Sequence, residues 1–200
     1  MNKSLTKAFQ NLDTPKTKHG YLSAYANNFS YPVTKFLELG VNHGQSLIGW
    51  SNLYPQAQII GIDLITNIQT RRFVHSNHND RIKVEFGNAN DPEWLKSISE
   101  KYGGFDIVLD DCSHMGIQMK TSFQALWEST KYCYAIEDLQ TQFPPYNDQY
   151  IEEVNFIHYI ESLINRGISK DDVSNQSSFT LDNMTINFQN WVVFFHHKKT

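Results

Sequence analysis

Two hundred residues suit one α/β domain, and a chain that is 40% hydrophobic, 14% aromatic and 19% charged has the balance of a folded globular protein. Seventeen basic against twenty-one acidic residues leave a net charge of −4, without the basic footprint that a nucleic-acid partner requires. No run approaches membrane-spanning length and the first residues lack an apolar leader, so no membrane association is expected and the protein reads as cytoplasmic. Cys112 and Cys133 stand apart from any metal-type cysteine pair, which fits free thiols in a reducing compartment.

Residues 1–33 are polar and weakly periodic, with turn formers at Thr14-Pro15 and an aromatic-dotted stretch from Tyr21 to Tyr31. They read as one or two short helices capping a single domain at 34–200. From residue 34 strands and helices alternate. The apolar run 34–39 ends at Gly40 and leads into a helix over 45–53; the run 58–62 ends at Asp63 and leads into a polar helix near 67–76. Residues 81–86 alternate as a strand, and Asp91-Pro92 supply an N-cap and a first helical position for a helix to about 102. A strand over 105–109 precedes a helix that starts at Ser113 or His114 and carries Met119, Phe123, Leu126 and Trp127 at helical spacing. A strand over 132–136 follows, then an amphipathic helix over 149–164 with Tyr150, Val154, Ile157, Ile160 and Ile164 on one face. Two β-rich runs, 177–188 and 191–196, joined at Gln189-Asn190, finish the chain as a hairpin. Repeated βα units predict an α/β fold, a mostly parallel seven-stranded sheet with helices on both faces and an antiparallel C-terminal hairpin. Ligands of such sheets bind beyond the carboxyl ends of the strands, so the residues just after each strand are the candidates for chemistry.

The first strand runs into Glu38-x-Gly40-x-x-x-Gly44-x-Ser46. Gly40 can take a positive φ and let backbone approach a ligand, Gly44 allows close passage before the helix, and Glu38 can accept from a cationic amino group or from the loop. Asn42 stands where the middle glycine of a Gly-x-Gly-x-x-Gly dinucleotide turn would be, which argues against a packed pyrophosphate. Asp63 closes the second strand 23 residues after Gly40, the place of an acid that binds a ribose hydroxyl pair. Asn88, after the third strand, is a candidate for the adenine edge, with a plain loop turn as the alternative. Together these marks predict an adenosine-bearing cofactor without separating NAD from S-adenosylmethionine.

Asp110-Asp111-Cys112-Ser113-His114 and Glu137-Asp138 follow adjacent strands and should converge. Paired carboxylates repel unless a positive group sits between them, and Mg²⁺ accepts a few carboxylates plus water and substrate oxygens. A hydroxylated small molecule such as a sugar would complete that shell, with His114 taking the hydroxyl proton. The competing reading has Asp110 and Asp138 capping the helices that follow them. His43, His75 and His78 have no carboxylate partners in sequence and read as structural or surface residues.

The strings Phe36-Leu37-Glu38-Leu39-Gly40-Val41-x-x-Gly44-x-Ser46, Phe105-Asp106-Ile107-Val108-Leu109-Asp110-Asp111-x-Ser113-His114 and Ile136-Glu137-Asp138-Leu139-Gln140-Thr141 resemble the metal-dependent sugar O-methyltransferases of macrolide biosynthesis. His19-Gly20-Tyr21 resembles that family's N-terminal entry motif, and the likeness runs from about residue 17 to the end. The resemblance implies a Rossmann-like class I methyltransferase domain at 34–200. It implies S-adenosylmethionine held by Glu38, Gly40, Gly44, Ser46, Asp63, Asn88 and Asp110, and Mg²⁺ held by Asp111, Glu137 and Asp138. It assigns catalysis to Asp111 and His114, with His114 as the base, and suggests self-association. The chain departs from the family's pattern at Asn88, where Asp is common, at Cys112, where Gly is common, and at Lys131-Tyr132, where a Gly-Gly pair is usual. An NAD-dependent oxidoreductase and a non-catalytic binding module of the same fold are the alternative readings. The Asn at position 42 and the antiparallel hairpin speak against the first; the departures at Asn88 and Cys112 leave room for the second.

Overall fold

The computed structural model describes residues 3–151 and 153–198. Five strands run parallel: β1 (Lys35–Leu39), β2 (Gln58–Asp63), β3 (Ile82–Phe86), β4 (Phe105–Asp110) and β5 (Thr130–Ile136). Three more, β6 (Gln176–Thr180), β7 (Met184–Gln189) and β8 (Val192–His197), join antiparallel to β5 and to one another. The sheet order is β3-β2-β1-β4-β5-β8-β7-β6. The sheet thus has eight strands where seven were expected. The β-rich run 177–188 folds back at Leu181-Asp182-Asn183, where Leu181 N–H donates to the Met184 carbonyl at 2.8 Å. Asp and Asn are turn formers, and they divide a run too long for one ordinary strand.

Both faces of the sheet are covered, which is why its parallel strands read as continuous apolar runs. Leu37, Leu39, Ile60, Ile62, Val108 and Ile136 point to one face, which is packed by α6 (Pro92–Tyr102), α7 (Gly116–Leu126) and α9 (Phe156–Ile164). Their neighbours Phe36, Ile59, Ile107, Leu109 and Ala135 point to the other, against α1 (Lys3–Ala8), α3 (Tyr21–Asn28) and α4 (Gln45–Leu53). The N-terminal segment is therefore one of the layers. Phe9, Tyr25 and Phe36 ring the buried Trp50 at 4.8, 5.2 and 4.7 Å. Between α1 and α3, Thr14 caps the four-residue α2 (Pro15–Lys18). A fifth helix on the sheet's path, α5 (Ile68–Ser76), is capped by Asn67, and Asp91 caps α6 as the sequence implied.

The helix expected over 149–164 is two. The short α8 (Asn147–Tyr150) ends first, and α9 restarts with Asn155 as its N-cap, its side chain accepting from Ile157 N–H at 2.8 Å. Gln142 fixes the restart: its Oε1 accepts from Phe156 N–H at 3.0 Å and its carbonyl from Asn155 Nδ2 at 3.1 Å. The last short helix, α10 (Lys170–Ser174), begins in a capping box formed by Ser169 and Asp172. No described helix is long and apolar enough to cross a membrane.

Candidate active site

A crevice of about 540 Å³ opens over the carboxyl ends of β1, β2, β4 and β5. Gly40, Gln45, Asp63, Asp111, His114, Glu137 and Asp138 are among its lining residues. Thr14, Pro15 and His19 bring the N-terminal segment to its rim. A neighbouring groove of about 630 Å³, which includes His43, Arg72 and His78, has no carboxylate in its lining.

The glycine turn is shaped by contacts behind it. Gly40 has φ +90°, and a Cβ there would stand 2.0 Å from the Asp111 carbonyl oxygen, so the turn and the acidic loop pass without room for a side chain. Gly44 starts α4 at φ +71°, and a Cβ there would strike the Phe73 ring at 2.4 Å. Asp63 ties the turn down: its Oδ2 accepts from Val41 N–H at 3.1 Å, Asn42 N–H at 2.9 Å, Asn67 Nδ2 at 3.0 Å and Thr70 Oγ1 at 2.6 Å. Its Oδ1 accepts from Leu64 N–H at 2.7 Å, and the residue lines the crevice.

Three residues expected at the cofactor do not line the crevice. Glu38 is fully buried beneath the turn, one oxygen accepting from Ser46 Oγ at 2.8 Å, so it does not line the crevice although Ser46 does. Asp110 turns inward, accepting from Ser122 and, at 3.4 Å, from Tyr134; burial raises its pKa to about 6 against the Ser122 bond. Asn88 is exposed outside the crevice and accepts from Asn90 N–H at 2.9 Å, the loop-turn alternative.

The acidic cluster does converge. Asp111, His114 and Asp138 each offer a ligand atom within 4.8 Å of the others. His114 Nε2 lies 3.4 Å from Asp138 Oδ2 and 4.0 Å from Asp111 Oδ1. Neither Asp110 nor Asp138 caps the following helix with its side chain, as the competing reading supposed: Met115 precedes α7, and Asp138 makes no side-chain cap bond to the 3-10 turn at Leu139–Gln142. Burial works against the charge on Asp138, but His114, Tyr21 and Gln140 overcome it and hold its pKa below the usual aspartate value.

Glu137 stands outside that trio, its Oε1 taken by Tyr25 and by Lys16. Lys16 is the residue that the sequence did not announce. Its ammonium, 1% exposed, lies 2.5 Å from Asp111 Oδ2, 2.7 Å from Glu137 Oε1 and 3.1 Å from Glu38 Oε1. The Glu38 contact is an ion contact without hydrogen-bond geometry. Burial opposes the charge on Lys16, yet Asp111, Glu137 and Glu38 together carry its pKa well above the ordinary lysine value. Burial also lifts Glu38 and Glu137 to about 7 in spite of that lysine. The trio suits a hard divalent ion in its two carboxylate oxygens, with the imidazole beside them for proton chemistry. Tyr21, whose hydroxyl donates to Asp138, and Tyr25 were also missed. Their i, i+4 spacing on α3 was the available signal.

No protein-family model matches the chain. It is 35% identical over 120 residues to mycinamicin VI 2''-O-methyltransferase of Micromonospora griseorubida, covering 56% of this chain and 28% of that protein. It is 32% identical over 146 residues to demethylmacrocin O-methyltransferase of Streptomyces fradiae, covering 66% of this chain and 35% of that protein. The chain thus spans about a third of the length of these curated relatives. A solved methyltransferase of the mycinamycin pathway, in complex with Mg, SAH and mycinamycin VI, superposes with TM-score 0.75 at 27% identity over 98% of this chain and 54% of that one.

Proposed function

We propose that this chain, a relative of the S-adenosylmethionine-dependent sugar O-methyltransferases with their Rossmann-like fold, transfers a methyl group to a hydroxyl of a small molecule, with a divalent cation at Asp111 and Asp138. A sugar hydroxyl is the acceptor class we favour, from the names of the relatives. The observation that carries the reading is the meeting of Asp111, His114 and Asp138 beside the Gly40–Ser46 turn in one crevice.

When bound, the cation lowers the pKa of an acceptor hydroxyl and S-adenosylmethionine supplies the methyl carbon. The chain's residues do the rest. Asp63 and the turn it ties down are the residues that would hold the adenosine end of the cofactor. Asp111 and Asp138 are the residues that would hold the cation beside His114. His114 Nε2 takes the hydroxyl proton as the C–O bond forms and the C–S bond breaks, giving the methyl ether, S-adenosylhomocysteine and a protonated imidazole. Asp138, 3.4 Å away, stabilises that imidazolium.

The test is methyl transfer from labelled S-adenosylmethionine to a glycoside panel with Mg²⁺, alongside calorimetry with S-adenosylhomocysteine and NAD. His114→Ala should cut turnover by about 10²–10⁴-fold while S-adenosylhomocysteine still binds. NAD binding in place of S-adenosylhomocysteine, or full turnover in excess chelator, would overturn the reading.

A further inference from the structure

The groove of about 630 Å³ behind the Gly40–Ser46 turn is larger than the crevice and has the size of a small-molecule site. Residues of α4 and α5 line it, and it reaches Ile82, where β3 begins. Its floor is apolar, with Phe73 and Ile82 buried and Ile48 beside them. Phe73 also supports the turn, since a Cβ on Gly44 would stand 2.4 Å from its ring.

The far wall is held in place by its own bonds. Asn79 Nδ2 donates to Ser51 Oγ at 2.8 Å, and Asn79 N–H donates to Asn77 Oδ1 at 3.2 Å. Behind them the Arg81 guanidinium donates to the carbonyls of Ser51, Tyr54 and Ala57 at 3.1, 3.1 and 3.0 Å. The rim is the opposite case. The side chains of Arg72, His43, His78, Gln45 and Gln69 have no hydrogen-bond or ion-pair partner among the described residues. A guanidinium presents five N–H donors in a planar fork that matches a phosphate or carboxylate. The chain carries 21 acidic residues, yet none lines this groove, so an anion entering it meets donors and no like charge.

We propose that the groove between α4 and α5 is a second binding site, for a small molecule that carries a phosphate or carboxylate on an apolar body. Arg72 takes the oxyanion, and the body lies on Ile48, Phe73 and Ile82. The site is distinct from the acidic crevice and does not depend on the methyl-transfer reading.

The experiment follows amide chemical shifts and calorimetry of the full chain with phenyl phosphate, phenylacetate, inorganic phosphate and phenol. Phenyl phosphate or phenylacetate should saturate in the millimolar range, and the tighter of the two identifies the oxyanion. The shifted amides should fall in 43–48 and 69–79. Inorganic phosphate lacks the apolar body and phenol lacks the charge, so each should bind about tenfold or more weakly than phenyl phosphate. Arg72 is exposed on α5, so Arg72→Gln should fold. It should weaken the aryl anion by about tenfold or more and leave S-adenosylhomocysteine affinity within about threefold. An unchanged affinity in Arg72→Gln, phenol binding as tightly as phenyl phosphate, or shifts confined to the crevice around Asp63 and Asp111 would each overturn the proposal. So would a dimer that Arg72→Gln dissociates, because the groove would then belong to a second copy of the chain.

Discussion

His114 and Asp138 both hold a left-handed backbone, at φ 60° and 58°, a conformation that costs an ordinary residue about 1 kcal/mol or more. The structure around them enforces it. The His114 carbonyl accepts from Gln142 Nε2 at 3.0 Å, and Thr141 N–H donates to the Asp138 carbonyl at 3.0 Å. The strain aims both side chains at Asp111. These three were legible because each follows a strand tip in an α/β pattern. Lys16 was not, since a helix of four residues leaves no periodicity and its partners lie far along the chain. Glu38 and Asp110 turn inward, away from the crevice, and this was not legible because sequence gives the strand end but not the direction in which a carboxylate turns. Away from the site, His196 donates from Nε2 to Asn28 Oδ1 at 3.0 Å and accepts at Nδ1 from Tyr31 at 2.9 Å, and burial lowers its pKa from 6.5 to about 4. The unfolded chain binds this proton near pH 6.5 and the folded chain only near pH 4, so the contribution is complete above 6.5 and is lost as pH falls toward 4. It amounts to up to about 3 kcal/mol. Urea titrations of wild type and His196→Asn across that range should show the smaller pH slope in the variant; equal slopes would dismiss the assignment.

At the scale of elements, periodicity found where apolar faces lie and missed where the backbone breaks. Tyr150, Val154, Ile157, Ile160 and Ile164 keep helical spacing across a segment in which α8 ends at Tyr150 and α9 begins at Phe156. The interruption comes from Gln142, a residue outside the window, so no local pattern records it. Asn155 is the hinge of that arrangement, capping α9 and donating to Gln142. Asn155→Ala should cost about 1–2 kcal/mol of unfolding free energy, with Asn155→Asp recovering the cap share. A loss within error of zero would mean that α9 is placed by its apolar face alone. The C-terminal run failed differently: Asp182-Asn183 was a readable turn signal hidden within a β-rich stretch.

At the scale of the molecule, Leu5, Phe9, Tyr25 and Phe29 help to cover one face of the sheet. Phe9, 1% exposed, packs edge-on to Trp50 and so closely to α4 that a Cβ on Gly49 would lie 2.5 Å from its ring. Phe9→Ala should remove about 3–5 kcal/mol in urea unfolding followed by tryptophan emission. A cost below about 1 kcal/mol would show that this layer unfolds separately from the sheet. The same layer sends one lysine across the fold to Asp111, just after the fourth parallel strand, and to Glu137, just after the fifth. During synthesis that amine waits while more than half of the polypeptide is made. A nascent chain halted before Glu137 would carry Lys16 and Asp111 but neither Glu137 nor Asp138, so the acidic cluster is completed late and in one step.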